Sequence, residues 1–203
     1  MMMKKMFLLV VALLLIQTTT RAQTERRIYT QAEQAAMQNR SEESAAQNRA
    51  LEKELQRMQD SIDYVQAVRA LEKLDFVVEA DKLVFRHGES AFVNSTTNFV
   101  SLKDDQAVVQ IAPFNGGGPN GVGGITLKGT ASDIRVKTDR KGNTFFTMNV
   151  MGAALSAYVT FTLPKGTNYT SVTVEPTFNG NRITFYGKLL PAKHARTFEG
   201  RSL

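Results

Sequence analysis

From Leu155 to Leu163 apolar and polar positions alternate without a break. Leu155, Ala157, Val159, Phe161 and Leu163 stand against Ser156, Tyr158, Thr160 and Thr162. A period of two means one buried face and one wet face. Phe146, Met148 and Val150 repeat the pattern around Thr147 and Asn149. Ile134 with Val136, Val172 with Val174, and Ile183 with Phe185 are shorter instances, and residues 76–85 read as a further strand. Between these runs lie Asp104-Asp105, the stretch from Asp139 to Asn143, the stretch from Pro164 to Asn168, and Asn179-Gly180-Asn181. All of these carry turn chemistry. Residues 75–191 therefore predict a mainly β domain of roughly eight to ten strands, an antiparallel meander closed into a barrel or folded as a sandwich. About 115 residues suffice for one core.

Residues 23–74 have a different texture: Gln, Glu, Ala and Arg dominate, and neither Gly nor Pro occurs. Good helix formers without breakers over this length predict a long helical segment ahead of the β domain. Thr30 and Glu33 have the spacing of a capping box, in which each side chain bonds the other's free backbone N–H. Leu51, Leu55, Met58, Ile62 and Val65 follow at spacings of 4, 3, 4 and 3, a short heptad seam. Val68, Leu71 and Leu74 then turn the apolar face by part of a turn. Two readings compete, a coiled coil between chains and packing on the following domain. The seam is shorter than the three or four heptads that identify a coiled coil. Residues 62–74 are therefore expected to pack, and 30–60 to remain an exposed helix open to self-association.

The first residues, Met1 to Met6, include Lys4 and Lys5, and an apolar run from Phe7 to Ile16 follows. With Thr20 and Ala22 as the small residues before a break, residues 1–22 read as a secretory signal cleaved between Ala22 and Gln23. The apolar run is too short for a membrane span, which needs about 20 residues. No later stretch is long and apolar enough, so the mature chain is expected to lack a transmembrane segment and to reside in the periplasm or outside the cell. The chain has no cysteine, which excludes disulfides, thiolate metal sites and cysteine nucleophiles. The net charge of +6 includes Lys4, Lys5 and Arg21, so cleavage leaves 22 basic against 19 acidic residues, a net of +3. That balance offers no electrostatic footprint for nucleic acid. After Pro191 the basic tail, residues 192–203, shows no periodicity and is expected to be mobile.

Several stretches resemble an exported family of Gram-negative bacteria known as domain of unknown function 4251. They are Asp75-Phe76-Val77-Val78-Glu79-Ala80-Asp81-Lys82-Leu83, the stretch from Phe92 to Val100, the Gly-rich segment from Phe114 to Thr126, and the stretch from Asn181 to Gly187. The resemblance spans about residues 69–191. It implies a β-rich periplasmic or secreted domain and brings no catalytic residues with it.

Arg86-His87-Gly88-Glu89-Ser90 resembles the signature of the phosphoglycerate mutase and histidine phosphatase superfamily. The resemblance implies His87 as phosphoryl acceptor and Arg86 as phosphate clamp. That chemistry also needs a second histidine, and the other one in this chain is His194 in the tail. Helices between the strands are needed too, where residues 98–190 have strand and turn texture. The competing reading is a turn after strand 76–85. Gly116, Gly117, Gly118, Asn120 and Gly121 satisfy the spacing of a phosphate-cradling loop, but Ile125-Thr126-Leu127-Lys128 continues as a strand, not a helix. A surface loop is expected there, and it is the first candidate for ligand binding because loops carry function. Asp60-Ser61-Ile62 resembles the acceptor of a periplasmic O-glycosylation system, with Ser61 as the acceptor. The competing reading is that Asp60 or Ser61 caps a second helical segment. Two distant histidines and no cysteine provide poorly for a metal, and no cofactor is implied.

Two functions of different classes follow. One is a non-enzymatic binding or structural module of the bacterial cell envelope, with a barrel holding a small apolar ligand as a variant. The alternative is a phosphatase or hydrolase using Arg86 and His87.

Overall fold

The computed structural model describes residues 29–113, 118–153, 156–177 and 181–202. The signal and its cleavage point at Ala22 and Gln23 lie outside these residues, as do Gly116, Gly117 and Leu155. The chain divides into two compact units, one reaching Ala50 and the other running from Leu51 to Leu203. In the first, the described chain is the exposed beginning of a helix, α1 (Gln31–Glu72). Its start is the expected capping box. Thr30 N donates to Glu33 Oε2 at 2.9 Å, and Glu33 N donates to Thr30 Oγ1 at 3.3 Å. The bond from the Thr30 backbone, then that from its hydroxyl, holds the Glu33 carboxyl below the usual range.

Among the described residues, the second unit contains the rest of α1 and nine strands: β1 (Asp75–Phe85), β2 (Ser90–Phe92), β3 (Phe99–Lys103), β4 (Gln106–Ile111), β5 (Ile125–Thr138), β6 (Thr144–Met151), β7 (Ser156–Leu163), β8 (Tyr169–Pro176) and β9 (Ile183–Pro191). Every pairing between them is antiparallel, and β9 returns to β1 from Phe76↔Pro191 to Phe85↔Ile183. The meander is thus a closed eight-stranded barrel, with β2 a short extra strand paired to β1 at Lys82↔Phe92. Closure leaves the eight strands without a free edge.

The alternation read from the sequence sets which residues enter the core. Ala157, Val159, Phe161 and Leu163 of β7 are buried, as are Phe146, Met148 and Val150 of β6. Phe76, Phe146 and Phe161 meet edge to face, with ring centroids 5.1–5.3 Å apart in all three pairs. Each such contact contributes about 0.5–1.5 kcal/mol beyond area burial. These rings fill the interior at their level.

One end of the barrel is closed by the last turns of α1. Ala67, Ala70 and Leu71 are buried in the barrel core, and Tyr64 and Val68 pack against it. The Tyr64 hydroxyl donates to Gly142 O in the β5–β6 turn. That turn is organised by Asp139, whose Oδ1 accepts from Lys141 N and Asn143 N, each at 2.8 Å. Bonds from the side chain and then the backbone of Asn143 hold the Asp139 carboxyl low.

The structure corrects several expectations. Ile62 and Val65 do not pack; the whole seam of Leu51, Leu55, Met58, Ile62 and Val65 is 42–56% exposed. The face that packs is Tyr64, Ala67, Val68 and Leu71, rotated from the seam as the shift at Val68 foreshadows. Helix α1 runs unbroken through Asp60 and Ser61, so neither caps a second helix; Asp60 Oδ1 instead accepts from Gln56 Nε2 at 2.7 Å. Val136 is on the face of its partner Phe146 but 40% exposed. A bulge between Ser132 and Arg135 precedes it, and the pairing of β4 with β5 stops at Thr130, so no β4 side chain covers it.

The tail is also not free. After a 3-10 turn (Ala192–His194) it crosses the outside of β1, β3, β4 and β5 as a strap. Arg196 N bonds Glu79 Oε1, Phe198 N donates to Thr96 O at 2.8 Å, and Ser202 bridges Thr126 in parallel. Hydrogen bonds of this kind need no side-chain periodicity, which is why the tail carried no pattern.

Candidate functional site

The Arg86-His87-Gly88-Glu89 string forms the turn between β1 and β2. Phe85 N donates to Glu89 O at 2.8 Å, and Gly88 N donates to Phe85 O at 3.0 Å. Gly88 has φ +91° with open space where a Cβ would stand, so this glycine is present because the turn needs left-handed backbone. Arg86 and His87 are both exposed. Arg86 borders an open cleft with Pro176 and the Glu175–Arg182 ion pair, whose charged atoms are 3.8 Å apart. His194 follows β9 at the opposite end of the β1–β9 ladder, beside Asp75. Strand β1 rises about 3.3 Å per residue, which puts the two histidines roughly 30 Å apart. The structure does not bring them together on one phosphate, and water reaches His87 freely.

Of the Gly-rich loop, Gly118, Asn120 and Gly121 are described. Asn120 is buried and acts as a latch. Its Oδ1 accepts from Val122 N at 3.0 Å and Gly124 N at 2.9 Å, and its Nδ2 donates to Thr126 Oγ1 at 3.2 Å. The loop then enters β5 directly, so no helix N-terminus faces it. A buried polar cluster that the sequence did not reveal continues from this point. Gln110 Oε1 accepts from Thr126 Oγ1 at 2.6 Å and from Gly200 N at 2.8 Å. Gln110 Nε2 donates to Thr97 O at 2.9 Å and Phe198 O at 2.8 Å. Gln110 and Thr126 are directly opposed on β4 and β5, and the strap buries them. A glutamine able to satisfy both its amide oxygen and its NH2 group holds the strap in register.

Tyr169 and Asp81 form another polar contact, with the phenol donating at 2.8 Å. Burial, followed by the Asp81 bond and charge, pushes the Tyr169 phenol up to about 12. Ser61 is exposed on α1, six residues before Ala67, the first helix position that is fully buried. Among the described residues no three His, Cys, Asp or Glu side chains could hold a metal ion together. No helix among them is long and apolar enough to cross a membrane.

Comparison with known proteins gives a consistent picture. The family described as domain of unknown function 4251 (DUF4251) matches residues 58–189. A crystal structure of a DUF4251 family protein from Bacteroides eggerthii DSM 20697 is similar, with 43% sequence identity and a TM-score of 0.61. That similarity covers 72% of this chain and 99% of the other. No curated protein matches.

Proposed function

The chain belongs to the DUF4251 family, and from that premise we propose that it is an exported, non-enzymatic structural module of the bacterial cell envelope that associates with a second copy of itself through α1. One observation carries the reading: Leu51, Leu55, Met58, Ile62 and Val65 form a continuous apolar seam with no partner among the described residues. An apolar stripe of this extent on a monomer marks an interaction surface. Its 4-3-4-3 spacing suits knobs-into-holes packing against an identical helix, and a two-fold pairing presents the same stripe on both sides. The filled barrel acts as a rigid body attached to that helix. The exposed, unassembled Arg86 and His87 weigh against the phosphatase alternative.

Light scattering on the mature chain tests this. The mass is expected to rise to that of a dimer with concentration. Leu55→Glu with Ile62→Glu should return it to a monomer. Its thermal midpoint should equal that of the wild type at concentrations where the wild type is also monomeric, since both residues are exposed and only the dimer adds stability by association. A wild-type chain that stays monomeric throughout would contradict the proposal. Export is tested separately, by N-terminal sequencing of protein made in its own cells. The expected first residue is Gln23, and an intact Met1 would overturn the location.

A further inference from the structure

A cleft of about 420 Å³ lies beside the helix-closed end of the barrel, between the last turns of α1 and the 3-10 turn after β9. Gln66, Arg69 and Lys73 line one wall; their spacing of three and four residues puts them on one helix face. Lys193 and His194 line the other wall, and Asp75 supplies the one carboxylate among the lining residues. Three permanent cations thus face one acid. Among the described residues, the ion pairs are Lys128 with Glu199 and Arg182 with Glu175, so none of the three is neutralised by a salt bridge. Basic residues near a helix C-terminus are favoured by the helix dipole, which accounts for Arg69 and Lys73. It does not account for Lys193, which arrives from the far end of the chain and adds a like charge to the same space.

We propose that this cleft binds a small, multiply charged oxyanion of the phosphate class. An arginine presents a planar fork that suits two oxygens of one phosphate, and lysines add point charges. Gln66 contributes amide N–H donors from the same helix face. An anion seated among Arg69, Lys73 and Lys193 would offset the like charge that these three side chains bring to one cleft. The volume falls in the range of small-ligand sites, leaving room for an organic group on the phosphate. That group belongs either to a free phosphate monoester or to an anionic phospholipid headgroup; the recognised chemistry is the same. This site is independent of the helix seam and of self-association.

Calorimetric titration of the mature chain with inorganic phosphate at fixed low ionic strength tests the free source. Sedimentation with phosphatidylglycerol vesicles tests the lipid source. Saturable binding is expected in at least one arm, and Arg69→Gln with Lys73→Gln should weaken it at least tenfold. Both residues are exposed, so the thermal midpoint should not move. Arg135→Gln with Lys137→Gln, on the exposed part of β5, removes an equal charge elsewhere and should leave binding unchanged. Absence of binding in both arms, or equal weakening by the Arg135→Gln and Lys137→Gln pair, would overturn the site.

Discussion

Phe161→Ala is expected to lower the unfolding free energy by about 3–5 kcal/mol, the range for truncating a buried aromatic ring. Phe161 is fully buried and touches both other rings of the triad, at 5.2 Å from Phe76 and 5.1 Å from Phe146. Truncation removes two edge-to-face contacts and leaves a cavity enclosed by β-ladders on both sides, with little freedom to collapse. Each kcal/mol shifts the midpoint by roughly 2–4 °C at this size, so a fall of roughly 10 °C is expected. Thr160 points to the outer face between Thr147 and Thr173, and Thr160→Ala should cost under about 1 kcal/mol. Thermal unfolding of the two variants checks the register. Equal losses would mean that the strand presents the opposite face to the core.

Gly187→Ala is expected to cost about 3 kcal/mol, at the upper end of the overpacking range. Gly187 of β9 faces the irregularity in β1 between Ala80 and Lys82. A Cβ there would stand 2.0 Å from Glu79 O and 2.6 Å from Ala80 Cα. These are backbone atoms, and Glu79 is held in register on both sides, opposite Phe99 and Lys188. Relief therefore means moving a strand rather than a side chain. The gain of about 0.4–1 kcal/mol from a stiffer unfolded chain does not offset this. Lys188→Ala, one residue on and exposed, should change stability by no more than about 0.5 kcal/mol. Urea denaturation of the pair should separate them clearly; coincident midpoints would refute the close approach of β1 and β9.

These two residues also show what the sequence discloses and what it leaves out. Phe161 was legible because one-sided burial imposes a period of two along β7, and the same period exposed β6, β8 and β9. The turn residues at Asp139 and Asp104 were legible because their chemistry is local: Asp104 takes a φ of +56°, and the Asp139 side chain bonds its own turn. Gly187 was not legible as a close contact, since its constraint comes from a strand about a hundred residues earlier in the chain. Barrel closure was open for the same reason, since the β1–β9 pairing has no local signature. Gln110 shares β4 with an exposed glutamine, Gln106, and only the strap explains why Gln110 is buried. Arg86-His87-Gly88 shows the reverse case. The string matches a catalytic signature, yet Gly88 is there for a left-handed turn, and the second histidine is at the other end of the barrel.

The seam was legible as a heptad, and its exposure was legible as far as Met58 but not at Ile62 and Val65. The sequence contains two apolar faces on one helix, and the structure assigns the barrel to Ala67 and Leu71. Met58 is the midpoint of the seam from Leu51 to Val65, so in the proposed dimer it would meet its own copy whether the helices pair parallel or antiparallel about that centre. The chain has no cysteine, so one introduced thiol has no partner within the chain. The most direct measurement is therefore disulfide trapping of Met58→Cys in the producing cells, where the proposed export would bring the chain into an oxidising compartment. Gln56→Cys, on the opposite helix face, serves as the control. A covalent dimer through position 58 and none through position 56 is expected. Trapping at neither position, or equally at both, would contradict a specific helix pairing between exported copies.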